Sequence, residues 1–309
     1  MTLFSLIVAL LIEQLRPIPT ERFVTAPLRA FARFLEDRFN DGEARHGAVA
    51  WWVAVITLGF ATALAYFILW HVHPLLAMAF NVVVLYLTTG FRQLSRFFSD
   101  LQLALRMGEL PRARQLIGAW RGKSHDASSS SEVARLAIEE ALIAAHRNVF
   151  AVIFWFILLP GPSGAVLYRL ARFFDEEWSA RRGDPEFGDF GDFAHKAYAA
   201  LDWLPVRLTA AAFSIVGDFE DGVYCWRAQA NQWKDKASGI LLASGGGALG
   251  VRLGMPIHES GEVVERPEMG VGDEADADFM QSTIGLIWRT LVLVFLLLAL
   301  LGVAGWVGT

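Results

Sequence analysis

Apolar positions run without a charge from Ala48 to Trp70 (AVAWWVAVITLGFATALAYFILW), 23 residues. At about 1.5 Å per residue, such a run crosses the roughly 30 Å hydrocarbon layer as one helix. After the turn HVHP, a second apolar run from Leu75 to Thr89 predicts the returning arm of a transmembrane hairpin. The last run, Ile284 to Val307, is broken only by Arg289 near one end, where its stem can carry the guanidinium to the interface, and it predicts a third span. The opening MTLFSLIVALLIEQL is shorter and holds Glu13. It lacks the basic region and A-x-A site of a cleaved signal, and predicts a retained membrane helix.

Between the hairpin and the last span the pattern changes. LSRFFSDLQLALRMGELPRARQLIGAW and SSEVARLAIEEALIAAHRN carry the 3.6-residue period of amphipathic helices, separated by the Ser-rich GKSHDASSSS. Together they predict a helical pair joined by a mobile loop. Val149 to Phe174 is long enough to span, but PGPSG interrupts it, so a broken or re-entrant helix competes with a straight crossing. Irregular backbone at membrane depth persists only inside protein or beside a water-filled cavity, which makes the break a candidate site. LDWLPVRLTAAAFSIVG from Leu201 and GILLASGGGALGVRLG from Gly239 are apolar yet too short to cross. Three or four spans and two or three partly inserted elements are expected. The predicted fold is an all-α integral membrane protein, a polytopic helical bundle with broken or re-entrant segments and a cytoplasmic helical subdomain. One domain covers 1–309, with an N-terminal helix and hairpin (1–90), a helical pair (91–147), a broken-helix and loop region (148–283) and the last span (284–307).

Composition agrees with this pattern. Hydrophobic residues make up 54% of the 309, with a mean hydropathy of +0.39, well above a soluble average. The net charge of −5 and the lack of a basic patch interleaved with aromatics argue against nucleic acid as a partner; the lipid bilayer is the expected one. Cationic residues orient the chain. Six arginines lie between Arg16 and Arg45, and eight more with Lys123 lie between Arg92 and Arg147. Both groups flank the hairpin, so the positive-inside rule puts them in the cytoplasm of a bacterial cell, at the inner membrane, with His71 and His73 outside. Cys225 is the only cysteine, which excludes an intrachain disulfide and a thiolate zinc site.

Motifs of chemistry are few. GGGALG (Gly245, Gly247, Gly250) satisfies G-x-G-x-x-G but lacks the strand–helix–strand setting and ribose-binding acid of a dinucleotide site, so close helix packing is the better account. GAWRGKS, Gly118 to Ser124, is one residue short of a P-loop and follows a helix, which predicts a turn. His71 and His73 have no carboxylate within ten residues and predict a cap on the hairpin. Seven acids lie between Asp175 and Asp192, either as a solvated loop or as carboxylates for Mg²⁺ at the membrane surface. Arg207, inside an apolar segment, is costly unless paired and is a functional candidate on that ground.

The segment GALGVRLGMPIHESGEVVERPEMG resembles the carboxy-terminal signature of the CobD/CbiB family, the membrane-bound adenosylcobinamide-phosphate synthases of cobalamin biosynthesis. LDWLPVRLTA is similar to that family's Asn-x-Ile-Pro-Ala-Arg-Leu-Thr element, and GPSGAVLYRL to its Gly-rich turn before a Tyr; the order of elements is similar over nearly the whole chain. MTLF and LDWLPVRL resemble more closely the AmpE branch, membrane proteins linked to β-lactamase regulation, whereas the tail resembles the synthases.

The synthase resemblance implies ATP-dependent amide formation between an amino alcohol, or its phosphate, and a corrinoid carboxylate. That chemistry needs cations and Mg²⁺ around phosphates and groups that set an amine against an activated carboxyl. Glu139 matches the family pattern, but Ile143, Ala144, Arg147 and Asn148 stand where it has an acid, an amide, an acid and a glycine. Tyr168, Arg169 and Asp175 match; so do Pro205, Arg207, Gly250, Arg252, Gly254 and Pro267, while only Gly239 remains of a Trp-Pro-Glu loop. A kept scaffold with thinned polar chemistry implies a divergent AmpE-like ligand-binding or regulatory member, binding a corrinoid or another small molecule and compatible with a homo-oligomer.

The candidate ligand-binding residues are Glu139, Tyr168, Arg169, Asp175, Asp202, Arg207, Gly239 and Arg252, around a cavity lined by Glu139, Asp175, Arg207 and Arg252. The alternative is an active amide ligase using ATP and Mg²⁺, with Asp175 as metal ligand; a third reading is a structural partner in a membrane complex. Convergence of those charged residues on one pocket favours ligand binding or catalysis, and separate pairing favours a structural role.

Overall fold

In the computed structural model the described residues are 2–15, 24–181, 184 and 187–307. Arg16 and Arg22 of the first basic segment, and Glu186 of the acidic one, lie outside them. Along the chain come α1 (Thr2–Leu15), α2 (Ala26–Phe39), α3 (Ala44–Val72), α4 (Pro74–Thr88), α5 (Phe91–Arg106), α6 (Leu110–Arg121) and α7 (Ser130–Ala145). A π-helical turn (His146–Phe150) leads into α8 (Ala151–Leu158), followed by α9 (Ser163–Ser179), α10 (Asp192–Val216), α11 (Phe219–Gln229) and α12 (Lys236–Leu249). Five short strands, β1 (Val251–Gly254), β2 (Ile257–Glu259), β3 (Glu262–Val264), β4 (Glu268–Met269) and β5 (Asp273–Glu274), precede α13 (Ala277–Val307).

Among the described residues, four helices are long and apolar enough to cross a membrane: Ala44–Val72, Ser130–Leu158, Asp192–Val216 and Ala277–Ala304. The protein is an all-α polytopic membrane protein. The returning arm of the hairpin, α4, has 15 residues, the length of the apolar run that predicted it, and at about 22 Å it is a shorter apolar helix than these four. Two sequence expectations are corrected. The helix predicted to stop near 147 instead runs through the π turn to Leu158, with α7 and α8 as its halves. The stretch from Leu201, expected to be too short, belongs to a 25-residue helix because Asp192–Ala200 also adopts helix; Pro205 lies inside it. The break at PGPSG is present, between Leu158 and Ser163. Pro160 and Pro162 have no N–H for the carbonyls four residues back, which ends the helix there.

The chain divides into two compact units, one of residues 1–90 and 151–205, the other of 91–150 and 206–309. The divisions after residues 150 and 205 fall inside helices.

In the first unit α1 packs on α4, α3 on α4 and α9, and α8 on α9. Its aromatic core gathers Trp178 with Phe174 and Phe190, and Phe190 with Phe187, all fully buried. Trp178 Nε1 donates to Glu36 Oε1 at 2.9 Å and Arg181 Nη1 to Glu36 Oε2 at 2.7 Å. Burial raises the Glu36 carboxyl above its ordinary value, against the pull of Arg181 and Trp178. At the hairpin, His73 Nδ1 accepts the Leu75 N–H at 3.2 Å, so His73 caps α4.

In the second unit α12 lies against α11 and α7 and is buried along most of its length. The glycines permit this approach: a Cβ on Gly245 would lie 2.7 Å from a Leu142 methyl, and one on Gly246 3.0 Å from the Gly270 Cα. The nucleotide-like pattern is therefore a packing face, and GAWRGKS ends α6 at Gly122, whose φ of 69° makes a left-handed cap. Cys225 is fully buried on α11, and burial pushes its thiol up to about 11. After Gly250, β1 pairs antiparallel with β4 and parallel with β5, while β2 and β3 form a hairpin.

Candidate functional site

Glu132, Arg135 and Glu139 recur at i, i+3 and i+7 on α7, which puts them on one face of the helix. That face meets the segment between β1 and β4. Glu139 is the most constrained of the three. Its carboxylate accepts the Gly254 N–H at 2.8 Å and a two-pronged donation from Arg266, Nη1 to Oε2 at 2.8 Å and Nη2 to Oε1 at 3.2 Å. The two side chains are 3% and 12% exposed, so the pair is nearly dry and its charge-assisted bonds are strong.

Arg266 also ties the turn to itself, with Nη2 donating to the Gly254 carbonyl at 2.9 Å and Nε to the Met255 carbonyl at 3.1 Å. Its guanidinium lies over the Trp233 ring, 5.3 Å from the centroid. Gly239 supports this wall, since a Cβ there would overlap the Ala230 carbonyl and lie 2.8 Å from the Trp233 Cβ.

Two further guanidiniums lie on α7 and β1. Arg135, 7% exposed, donates Nη2 to the Pro256 carbonyl at 2.9 Å and Nη1 to Met255 Sδ at 3.5 Å. Arg252, on β1, has Nη2 3.9 Å from Glu274 Oε1. The Nε atoms of both Arg135 and Arg252 are buried and have no hydrogen-bond partner. Arg135 feels the charges of Glu139, Arg266 and Glu274, the last of which Arg252 also approaches. Met255, between them, has a φ of 63°, a left-handed conformation that a non-glycine residue holds only where its surroundings impose it. Arg266 thus holds Glu139, Arg135 holds the turn beside it, and Arg252 approaches Glu274, with a buried Nε left over on each of the last two; guanidinium forks of this kind match phosphate and carboxylate oxygens.

The rim of this cluster is ionic. Glu132 Oε1 accepts the His258 N–H at 2.5 Å and the Ser128 hydroxyl at 2.8 Å, and Oε2 lies 3.1 Å from His258 Nδ1. Glu259 accepts from Lys123 Nζ at 2.6 Å and Arg121 Nη2 at 3.4 Å. Burial raises the Glu259 carboxyl, but the Lys123 bond and the charges of Lys123 and Arg121 outweigh it and hold it below its ordinary value of 4.5. A carboxyl lowered on folding contributes stability above its unfolded value and loses it as pH falls through the folded value. Amides of the Lys123–Ser130 loop should therefore exchange faster with solvent as pH drops below about 4.5, after correction for intrinsic rates. Glu259→Gln should remove that dependence, and unchanged protection in the native protein would contradict the assignment.

Sequence reasoning found part of this. Glu139 and Arg252 lie in the cluster and Gly239 beneath it, whereas Arg207, half-buried on α10, is not among the groups that hold Glu139. Arg266, Arg135 and Met255 were missed; the spacing of Glu132, Arg135 and Glu139 was the available signal. The other candidates lie in the first unit. Tyr168 donates its hydroxyl to Asp202 Oδ1 at 2.9 Å and sits 3.3 Å from the Tyr198 hydroxyl, all three buried, with Arg169 beside them in sequence on α9. Asp175 Oδ1 accepts the Ser179 hydroxyl at 2.8 Å and lies 2.9 Å from His195 Nδ1. Among the described residues no three His, Cys, Asp or Glu side chains form a group that could hold a metal ion.

The family model of the CobD/Cbib protein matches residues 6–287. The cobalamin biosynthesis protein CobD of Stutzerimonas stutzeri is 35% identical over 309 residues, 98% of this chain and 97% of that protein. The CobD of Chromobacterium violaceum is 38% identical over 199 residues, 64% of this chain and 63% of its own. The cobalamin biosynthesis protein CbiB of Salmonella typhimurium is 24% identical over 299 residues, 92% of this chain and 90% of its own. No solved structure matches. A membrane helical fold and a family-model match over nearly the full length agree: this chain belongs to the CobD/CbiB family.

Proposed function

We propose that this protein works in cobalamin biosynthesis at the bacterial inner membrane, as an ATP-dependent synthase joining an amino alcohol, or its phosphate, to a corrinoid carboxylate. The observation that carries this reading is the pair of buried, partnerless Nε donors on Arg135 and Arg252 beside the Glu139–Arg266 pair. Donors fixed before substrate arrives stabilise developing negative charge without reorganisation. In this scheme Arg135 and Arg252 hold a phosphate or carboxylate oxygen. Glu139, whose oxygens already accept three N–H donors, serves as a positioning residue for Arg266 and the Gly254 turn. The basic segments around residues 24–45 and 91–147 face the cytoplasm, where nucleotide is available.

A second reading, an AmpE-like regulatory member that binds the same anions without turnover, is favoured by one observation. Glu139 is saturated, and the neighbouring positions Ile143 and Ala144 offer no polar atom in its place. The test is to incubate the detergent-purified protein with a corrinoid acid, aminopropanol phosphate and Mg-ATP, and to look for the amide by mass spectrometry, with an authentic synthase in parallel. A product that requires all three substrates, and that falls on the order of a hundredfold or more with Arg252→Leu, is expected. Absence of product beside an active control would leave the regulatory reading.

A further inference from the structure

A cavity of about 360 Å³ in the first unit uses none of the groups of the arginine cluster. It is lined by Thr2, Tyr66, Asn81 and the chain from Phe156 to Gly161, where α8 ends. Asn81, on α4, is only 5% exposed, and its Oδ1 is buried without a donor. The prolines of the break add to the shortage. The Phe156 and Leu158 carbonyls would normally accept from the residues four positions on, but these are Pro160 and Pro162, which have no N–H. Carbonyls at a helix C-terminus also carry its partial negative charge.

The turn is fitted to Tyr66: Gly161 has a φ of 59°, and a Cβ there would lie 2.5 Å from the Tyr66 Cγ. Tyr66 in turn packs against Trp70, with ring centroids 6.0 Å apart. The lining named above contains acceptors and aromatic surface but no carboxylate. A divalent ion would find too little charge, and a single water, at about 30 Å³, would leave most of the volume empty.

We infer that this cavity is a binding site for a primary ammonium group, which supplies three N–H donors to the Asn81 Oδ1 and the proline-orphaned carbonyls and sets its charge beside the Tyr66 ring. Such a group can arrive as a free alkylamine or as the headgroup of phosphatidylethanolamine, since the cavity is lined by the exposed Leu158 and by Tyr66, which packs on Trp70 toward the hairpin end of α3.

Two arms separate these sources. In detergent, methylammonium chloride is titrated against the intact protein with tetramethylammonium chloride as control. In nanodiscs of phosphatidylethanolamine or phosphatidylcholine, lipid retained after release is counted by native mass spectrometry. Saturable methylammonium binding with no tetramethylammonium counterpart would show the free amine as a ligand; selective retention of phosphatidylethanolamine would show the headgroup. In either arm Asn81→Leu should weaken binding about tenfold or more, because a hydrogen bond to a charged donor is lost, and Asn81→Asp should strengthen it. Two outcomes would overturn the site: no selectivity in both arms, or binding unchanged in Asn81→Leu and Asn81→Asp proteins that keep the native helical spectrum.

Discussion

Arg266→Met should destabilise the purified protein by about 3–5 kcal/mol, measured by denaturant or thermal unfolding in detergent, the range seen when one partner of a buried ion pair is removed. The reason is what remains. Glu139, 3% exposed, would keep its charge and one backbone donor but lose both guanidinium bonds, and the Gly254 and Met255 carbonyls would lose theirs. Glu139→Gln combined with Arg266→Met should recover part of the loss, because the stranded charge goes with its partner. Arg106→Ala gives the scale for an exposed pair. Its contact with Asp278 is 3.1 Å long, but the two side chains are 50% and 88% exposed, so no more than about 1 kcal/mol is expected. Equal effects of the two single variants would refute the buried-pair account.

Gly247→Ala is the second large effect, with an expected loss of about 1–3 kcal/mol. A Cβ at Gly247 would overlap the Asp221 carbonyl oxygen and lie 2.9 Å from the Gly222 Cα, and both obstacles are backbone. Neither can rotate away, so α11 and α12 must separate, opening a gap between helices whose contact is otherwise dry. Helix propensity works the other way, since alanine in a helix interior is favoured over glycine by about 1 kcal/mol. A measured loss therefore shows that the close approach outweighs propensity. Gly285→Ala on α13 is the control: its Cβ meets nothing within 4 Å, so it should be neutral or mildly stabilising. If Gly247→Ala matched that control, the glycine run would have no packing role.

These two cases mark how far the sequence could be followed. Gly247 was legible as a packing glycine because the P-loop and dinucleotide readings failed on spacing and context alone. Arg266 was not. It lies in VVERPEMG, a charged, extended stretch, and nothing local distinguishes it from Glu265 or Glu268. Its partner is 127 residues away. Asp175 is a similar case, because the run of acids around it gives no sign that Ser179 and His195 are the groups its Oδ1 meets.

Helix ends show the same division. The break at Pro160 and Pro162 was readable because a missing N–H is a property of the residue itself. The extension of α10 back to Asp192 was not, because neither hydropathy nor period registers which polar residues a neighbouring helix will cover.

The sequence by itself determined the membrane class, the first and last spanning helices, the site of the helix break and the packing role of the glycines. Each depends on periodicity, apolar length or backbone chemistry, which act over a few residues. Only the tertiary structure decided which charge neutralises which. Burial makes pairing obligatory without naming the partner, and the guanidinium that reached Glu139 was the one just ahead of β4, brought back to α7 by the pairing of β4 with β1.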